Sequence, residues 1–399
     1  MNASTTAKTS GIDWPVWALA TAETLVWAGM FYLFPALLLH WETDLGWSKT
    51  DLTIAMTIAV TASAVGAPTA GRLIDQGYGG AVLMVSAGLG GLLVGALSFV
   101  DDPWVFKAVW LGIGFCMAGC LYEPCFAFVT RTRGDGARKA ITRITLVAGL
   151  AGTVSFPTAN LIAATYGWRA STAVFCGLIL FVAIPLFWYG TRPRYAVAEV
   201  ERLPVTGSRA AAMRRPTFWL LASSFASIAL AHGMIITHLL PLLDERGVSA
   251  SLAVLTASLI GPMQVAGRLG MITIEKRVSI EVICALSFTF MIVAVCILFV
   301  AGAVPMLLFV FVVVHGSGYG VTSITRPVVT ANLLGRSGFG AISGAMAVPF
   351  MAATALSPFL GSLIWSLGGY DVVIGVMLTT VVAGFLAFVL ALRTAKPVP

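Results

Sequence analysis

Charge is what this sequence lacks. Asp, Glu, Lys and Arg make up 10% of its 399 residues and apolar residues 58%, whereas a soluble domain carries about 25% charged residues. No extended polar stretch is left over to build a separate soluble domain. The six cysteines all lie in apolar runs, without zinc-type or secreted-scaffold spacing, and read as reduced thiols. No Ser/His/Asp set, phosphate-binding glycine loop or metal-ligand cluster stands out, so neither an enzyme nor a cofactor is expected. A signal-peptide cleavage site is missing too. The first apolar run is too long for a signal core and is expected to stay as a spanning helix.

What the sequence has is apolar length. About twelve runs of roughly 20 residues each suffice to cross some 30 Å of hydrocarbon. Helices are expected near 15–40, 50–72, 80–100, 104–130, 140–165, 169–190, 216–241, 250–270, 278–301, 304–330, 339–366 and 371–392. The expected fold class is therefore an all-α membrane protein with twelve transmembrane helices. With the N-terminus inside, most of the 24 lysines and arginines fall at the inner face, including Lys8, Arg72, Arg131, Arg133, Arg138, Lys139, Arg192, Arg194, Arg202, Arg209, Arg214, Arg215, Arg336 and Lys396. That bias predicts a multi-pass protein of the plasma (inner) membrane with both termini cytoplasmic. The net charge of +7 then reflects topology rather than a nucleic-acid partner. A monomer in the lipid bilayer is expected.

Two stretches organise the chain: Cys116-Met-Ala-Gly-Cys-Leu-Tyr-Glu-Pro-Cys125 and Gly320-Val-Thr-Ser-Ile-Thr-Arg-Pro-Val328. Each places one charge directly before a proline inside an apolar run, Glu123-Pro124 in the first half and Arg326-Pro327 in the second. Another proline follows each pair, Pro157 or Pro358, and then Gly167-Trp168 or Gly369-Tyr370. Two copies of one helical hairpin with opposite charges at the same place are the signature of a duplicated transporter. The expected domains are a six-helix bundle over 1–190, a cytoplasmic linker over 191–215 rich in arginine, and a second, pseudo-symmetric bundle over 216–399.

Ionisable groups at membrane depth are expensive, which makes each a functional candidate. Glu23 lies about 12 Å into helix 1 at 1.5 Å per residue; a structural hydrogen-bond partner is the alternative reading. At 100° per residue, Cys116, Cys120 and Glu123 share one stripe of helix 4, and His315, Tyr319, Thr322 and Arg326 share one stripe of helix 10. Such stripes face protein or water, not lipid. His232 on helix 7 is expected near the middle of the membrane and His238 further out. Ser48 and Asp51 have the spacing of an N-terminal cap with a first-turn acid, which opens helix 2. Thr153, Asn160 and Gln264 read equally as glue between helices, and Gly88, Gly91 and Gly95 as close-packing positions.

The end of helix 2, Gly66-Ala-Pro-Thr-Ala-Gly-Arg-Leu-Ile-Asp-Gln-Gly77, resembles the loop signature of the major facilitator superfamily in Gly71, Asp75 and Gly77. It departs from that signature after the later glycine, where Tyr78, Gly79 and Gly80 replace the usual basic residues, and leaves Arg72 as the main basic candidate. The second half repeats the region as Gly261-Pro-Met-Gln-Val-Ala-Gly-Arg268. Gly46-Trp-Ser-Lys-Thr, Gly71-Arg-Leu-Ile-Asp75 and Arg138-Lys-Ala with Ala148-Gly-Leu-Ala-Gly152 look like the monocarboxylate and oxalate branch, with Gln264 where that branch often carries an acid. The resemblance implies that helices 1, 4, 7 and 10 line a central cavity. It also implies that Gly71, Arg72, Asp75, Gly77 and Arg268 take part in conformational gating.

Two mechanisms follow. In the first, Arg326 binds the carboxylate of a small organic anion through its planar fork. Glu123 or Glu23 pairs with it when the site is empty, and His232 or His315 carries a proton. In the second, Cys116 and Cys120 form a soft thiol pair for a trivalent metalloid such as arsenite or antimonite, with carboxylates carrying protons for export. A structural Glu123–Arg326 bridge fits either. A non-transporting membrane receptor is the rival from another class.

Overall fold

In the computed structural model of the chain, residues 13–192, 212–335 and 339–395 are described. Most of the expected linker 191–215 lies outside them, as do Lys8, Arg194, Arg202, Arg209, Arg336, Lys396 and the side chain of Arg138.

The described residues are helical throughout, with no strand among them. Ten runs are long and apolar enough to cross a membrane, and two of these, Lys49–Phe99 and Ile342–Thr394, reach 51 and 53 residues. A helix of about 50 residues would extend some 75 Å, more than twice a hydrocarbon core. Each long run is broken by glycine. Gly77 adopts φ +99° and Gly369 φ +72°, left-handed conformations that only glycine reaches cheaply. The expected loops after helices 2 and 11 are therefore tight glycine turns.

The pieces on either side of those turns are numbered separately. In chain order they are α1 Trp14–Leu45, α2 Lys49–Leu73, α3 Gly79–Ala96, α4 Pro103–Arg133, α5 Lys139–Tyr166, α6 Trp168–Thr191, α7 Pro216–Glu245, α8 Ala250–Ile274, α9 Ile280–Val300, α10 Leu307–Leu334, α11 339–367 and α12 370–394. Short connections make consecutive helices antiparallel. The near end, where α1 begins, joins Asp13 to Arg133 at the close of α4. The far end joins Asp51 at the start of α2 to Lys107 at the start of α4, 3.0 Å apart. Ser48 caps α2 as its spacing predicts, its hydroxyl accepting the Asp51 amide at 3.0 Å.

Small residues set how closely the helices approach. In the first half α4 meets α2 where Gly114 faces the backbone of Ala59, and in the second α10 meets α8 where Gly316 and Gly320 face the backbone of Gln264. Gly88, Gly91 and Gly95 of α3 admit Ile184, Ile179 and Cys176 of α6. Thr153 donates to the Ser258 carbonyl at 2.7 Å, tying α5 to α8, and Asn160 donates to the Ala36 carbonyl at 3.2 Å, tying α5 to α1. Thr153 and Asn160 thus act as glue between helices.

This packing predicts that Gly320→Ala, whose new methyl would meet Gln264 backbone, destabilises the protein by about 1–3 kcal/mol. Gly375→Ala, with nothing within 4 Å, should be neutral or stabilising by up to about 1 kcal/mol. Thermal melts of the two variants in detergent check the contrast.

Candidate functional site

The site is built where three helices depart from regular geometry. In α1, residues Trp27–Tyr32 form a π-helical turn, a widening that rotates side chains out of the ordinary register. In α4, Pro124 lacks the amide that would bond the Cys120 carbonyl, and its ring crowds that carbonyl. The chain yields at Leu121, φ −89° and ψ −161°. In α10, Pro327 lacks the amide that would bond the Ser323 carbonyl; one turn earlier the Ile324 amide turns to the Val321 carbonyl at 3.0 Å and leaves the Gly320 carbonyl to side chains. Each pair thus follows an irregular turn, an extended residue at Leu121 in α4 and a tightened turn at Val321 in α10.

Between these turns lies a cavity of about 430 Å³. Its walls come from α1, α2, α4 and α5 on one side and from α7, α8, α10 and α11 on the other. The lining residues run from the near side past the middle of the helices, as far as Met56, Thr237 and Pro358; Glu123 is exposed. Most of the wall is apolar and aromatic. On one side Trp27 sits 4.8 Å from Tyr122, and Tyr122 stacks on Phe126 at 5.1 Å. On the other, Tyr319 stacks on His232 at 3.3 Å, and the Arg326 guanidinium lies 4.0 Å over Phe350.

Of the residues singled out by sequence, Glu123, Arg326, Tyr319, Thr322, His232, Gln264 and Arg268 line this cavity. Glu123 and Arg326 face one space, yet no ion pair of 4.0 Å or less joins them. Nη1 of Arg326 is buried without a hydrogen-bond partner. Arg268 is different. Its Nε donates to the Gly320 carbonyl at 2.9 Å and its Nη1 to the Thr145 carbonyl at 3.2 Å, so it clasps α8 to both α10 and α5. The Gly320 carbonyl left by the α10 turn is what it holds.

Glu23, Cys116, Cys120 and His315 stand back from the wall. Glu23 is fully buried and neither carboxyl oxygen has a hydrogen-bond partner; Trp27, Cys125 and Glu123 are its neighbours. The helical wheel put Cys116 and Cys120 on the stripe of Glu123, but the bend at Leu121 breaks that register. Cys120 is fully buried, donating to the Cys116 carbonyl at 3.2 Å and contacting the Met30 sulfur at 3.7 Å. No group of three or more His, Cys, Asp or Glu residues could hold a metal ion among the described residues. His315 is fully buried, with its Nε2 3.2 Å from His232 Nδ1 and its own Nδ1 unpartnered.

At the near end, Gly77 makes the turn after α2, and Gly71 lies in regular helix. Arg72 bonds the Thr69 hydroxyl at 3.2 Å, while the Asp75 backbone carbonyl accepts from Arg131. The arginine that meets this turn is thus Arg131 of α4, although Arg72 was the expected basic partner.

Sequence reasoning missed the aromatic wall, because aromatics in spanning helices look like ordinary apolar filler until a bend turns them inward. It also missed the far end. There Lys49 is buried, 3.7 Å from Glu42 and 3.8 Å over the Trp365 ring. Glu245 accepts from the Trp365 indole at 2.7 Å and from the Tyr370 amide at 3.1 Å. One layer deeper, Thr53 and Ser362 hydroxyls meet at 2.7 Å. His238 accepts the Tyr370 hydroxyl at Nδ1, 3.1 Å, and donates from Nε2 to the Pro358 carbonyl at 2.8 Å. Helices α1, α2, α7, α11 and α12 are closed together at this end. A charged residue beside an aromatic at each span end was the available signal.

If Lys49 holds the far end shut, Lys49→Ala should raise the rate at which a water-soluble maleimide labels Thr53→Cys by roughly tenfold, the effect of about 1.4 kcal/mol on the closed state. An unchanged rate, measured against the parent with its native cysteines, would count against this role.

The Major Facilitator Superfamily family model matches residues 19–350. No curated protein matches the sequence. Two solved structures are similar over nearly the whole chain. One is a bacterial homolog to the human lysosomal transporter Spinster in an inward-facing and occupied conformation, with TM-score 0.70, 14% identity, and coverage of 95% of this chain and 96% of that one. The same kind of protein in the inward-facing and unoccupied conformation gives TM-score 0.70, 16% identity, and coverage of 96% and 97%. At such identities the likeness speaks for the fold. With a cavity lined from both halves and a family match across most of its length, the chain belongs to the Major Facilitator Superfamily of membrane transporters.

Proposed function

We propose that this protein carries a small organic anion of the monocarboxylate type across the membrane by alternating access, coupled to protons. The two long runs each cross twice in this reading. That gives twelve crossings in two six-helix bundles, 1–190 and 216–399, joined by the cytoplasmic segment 191–215. The near end faces the cytoplasm of a plasma (inner) membrane, and the conformation described above is the inward-open one.

The observation that carries the anion reading is the state of Arg326. A guanidinium at membrane depth is costly unless its donors are used. Arg268 spends donors on two carbonyls, whereas Arg326 keeps Nη1 unpartnered beside the cavity. A carboxylate matches the planar fork of a guanidinium with two parallel hydrogen bonds. Glu123, exposed in the same cavity, offers a resting counter-charge that a bound anion displaces. The Cys116/Cys120 pair has no comparable opening to the cavity.

Glu23 supports the proton part. Its carboxyl group is fully buried in α1 beside Trp27 and Cys125. Glu23 reaches the cavity through Trp27 and lies near Glu123, so a proton can be held there while the site is closed. The His232–His315 pair is a second place for that proton.

Labelled acetate counterflow in proteoliposomes tests transport, since a receptor would bind without exchange. Arg326→Ala should abolish exchange with the protein still folded and inserted, and Arg326→Lys should recover little of it because an ammonium cannot bind bidentately. Retained exchange with unchanged affinity would remove Arg326 from the binding role. Glu23→Gln should leave counterflow running but abolish uptake driven by a pH gradient; preserved gradient-driven uptake would place the proton elsewhere.

A further inference from the structure

We infer that the cargo of this site is an aromatic monocarboxylate, a planar ring bearing a single negative charge. The inference rests on the organic-anion reading and adds the rest of the molecule to the carboxylate. Its basis is the wall across the cavity from Arg326. Trp27, Tyr122 and Phe126 form one continuous step, with ring centroids 4.8 Å and 5.1 Å apart, and Phe31 packs edge-on against Trp27 at 5.2 Å. All four rings border the cavity and none is fully buried. They are held there by backbone irregularity, Trp27 and Phe31 by the π-helical turn and Tyr122 and Phe126 by the bend at Leu121.

A two- or three-carbon acid would occupy a small part of about 430 Å³ and leave those ring surfaces wet. A ring presented to that wall takes the offset and edge-to-face contacts that aromatic pairs favour beyond simple burial. The opposite wall fixes the other end of the molecule, because the Arg326 guanidinium is braced over Phe350 at 4.0 Å. Charge sets the limit of one carboxylate. Glu123 borders the same space with no cation within 4.0 Å among the described residues, and a second carboxylate on the cargo would meet it as a like charge.

The test is counterflow of labelled phenylacetate and labelled acetate in proteoliposomes of the full chain, with unlabelled phenylacetate, cyclohexylacetate and benzyl alcohol as competitors. Phenylacetate should half-inhibit at a concentration roughly tenfold below cyclohexylacetate, which has the same charge and nearly the same size but no π face. Benzyl alcohol, which lacks the carboxylate, should not compete at the same concentrations. Tyr122→Leu should erase the preference for phenylacetate over cyclohexylacetate, and Tyr122→Phe should retain it, with size-exclusion profiles showing both variants folded. Equal inhibition by the two acids, or a preference for acetate, overturns the aromatic class and leaves the organic-anion reading intact. Absence of exchange with every carboxylate overturns both. Competition by benzyl alcohol equal to that of phenylacetate shows that the ring binds without the charge, and overturns the organic-anion reading with it.

Discussion

Hydrocarbon supplies no hydrogen bonds, and the organisation of this protein follows from that. Every backbone group at membrane depth must find a partner within the protein or the water it encloses. Pro124 withdraws a donor from the Cys120 carbonyl of α4 and Pro327 from the Ser323 carbonyl of α10, and the turn of the Ile324 amide to Val321 leaves the Gly320 carbonyl without its helical partner as well. Arg268 answers in α10: its guanidinium reaches the Gly320 carbonyl and, through a second nitrogen, the Thr145 carbonyl of the other half. A cation is thereby committed to holding helices together, and Arg326, which lines the same cavity with Nη1 unpartnered, becomes conspicuous. Backbone geometry thus occupies one arginine and leaves the other facing the cavity.

The same irregular turns explain how far the fold and the site could be read from sequence. Helix positions were legible because apolar length is a strong signal: α7 begins at Pro216 and α9 near Ile280, within a few residues of expectation. The charges before Pro124 and Pro327 were legible because ionisable residues are rare in such segments. Side-chain direction was not. A constant 100° per residue carries Cys120 and Glu123 together, but the turn at Leu121 sends Cys120 toward Met30 and leaves Glu123 in the cavity. His315 is likewise rotated behind His232. Local irregularity of one residue is invisible to periodicity, and it decides which groups meet water.

Long-range partners were the other illegible part. Nothing in the sequence around Lys49 announces Trp365, more than three hundred residues away, nor does Thr53 announce Ser362. These contacts exist because α2 and α11 are brought side by side, and one sequence without its relatives carries no record of that adjacency. The glycine-rich segment after α2 fared in between. Its glycine turn at Gly77 follows from local backbone chemistry, while the arginine that meets it, Arg131, comes from a different helix.

The closure at the far end consists of side chains, apart from the Tyr370 amide and the Pro358 carbonyl that join it. Parting α2 from α11 there would leave every helical ladder untouched. Such a movement requires rotamer changes and the rehydration of a few hydroxyls, an indole and an ammonium, without unwinding any segment. The polar contacts that close this end are thus separate from the backbone hydrogen bonds that hold each helix together.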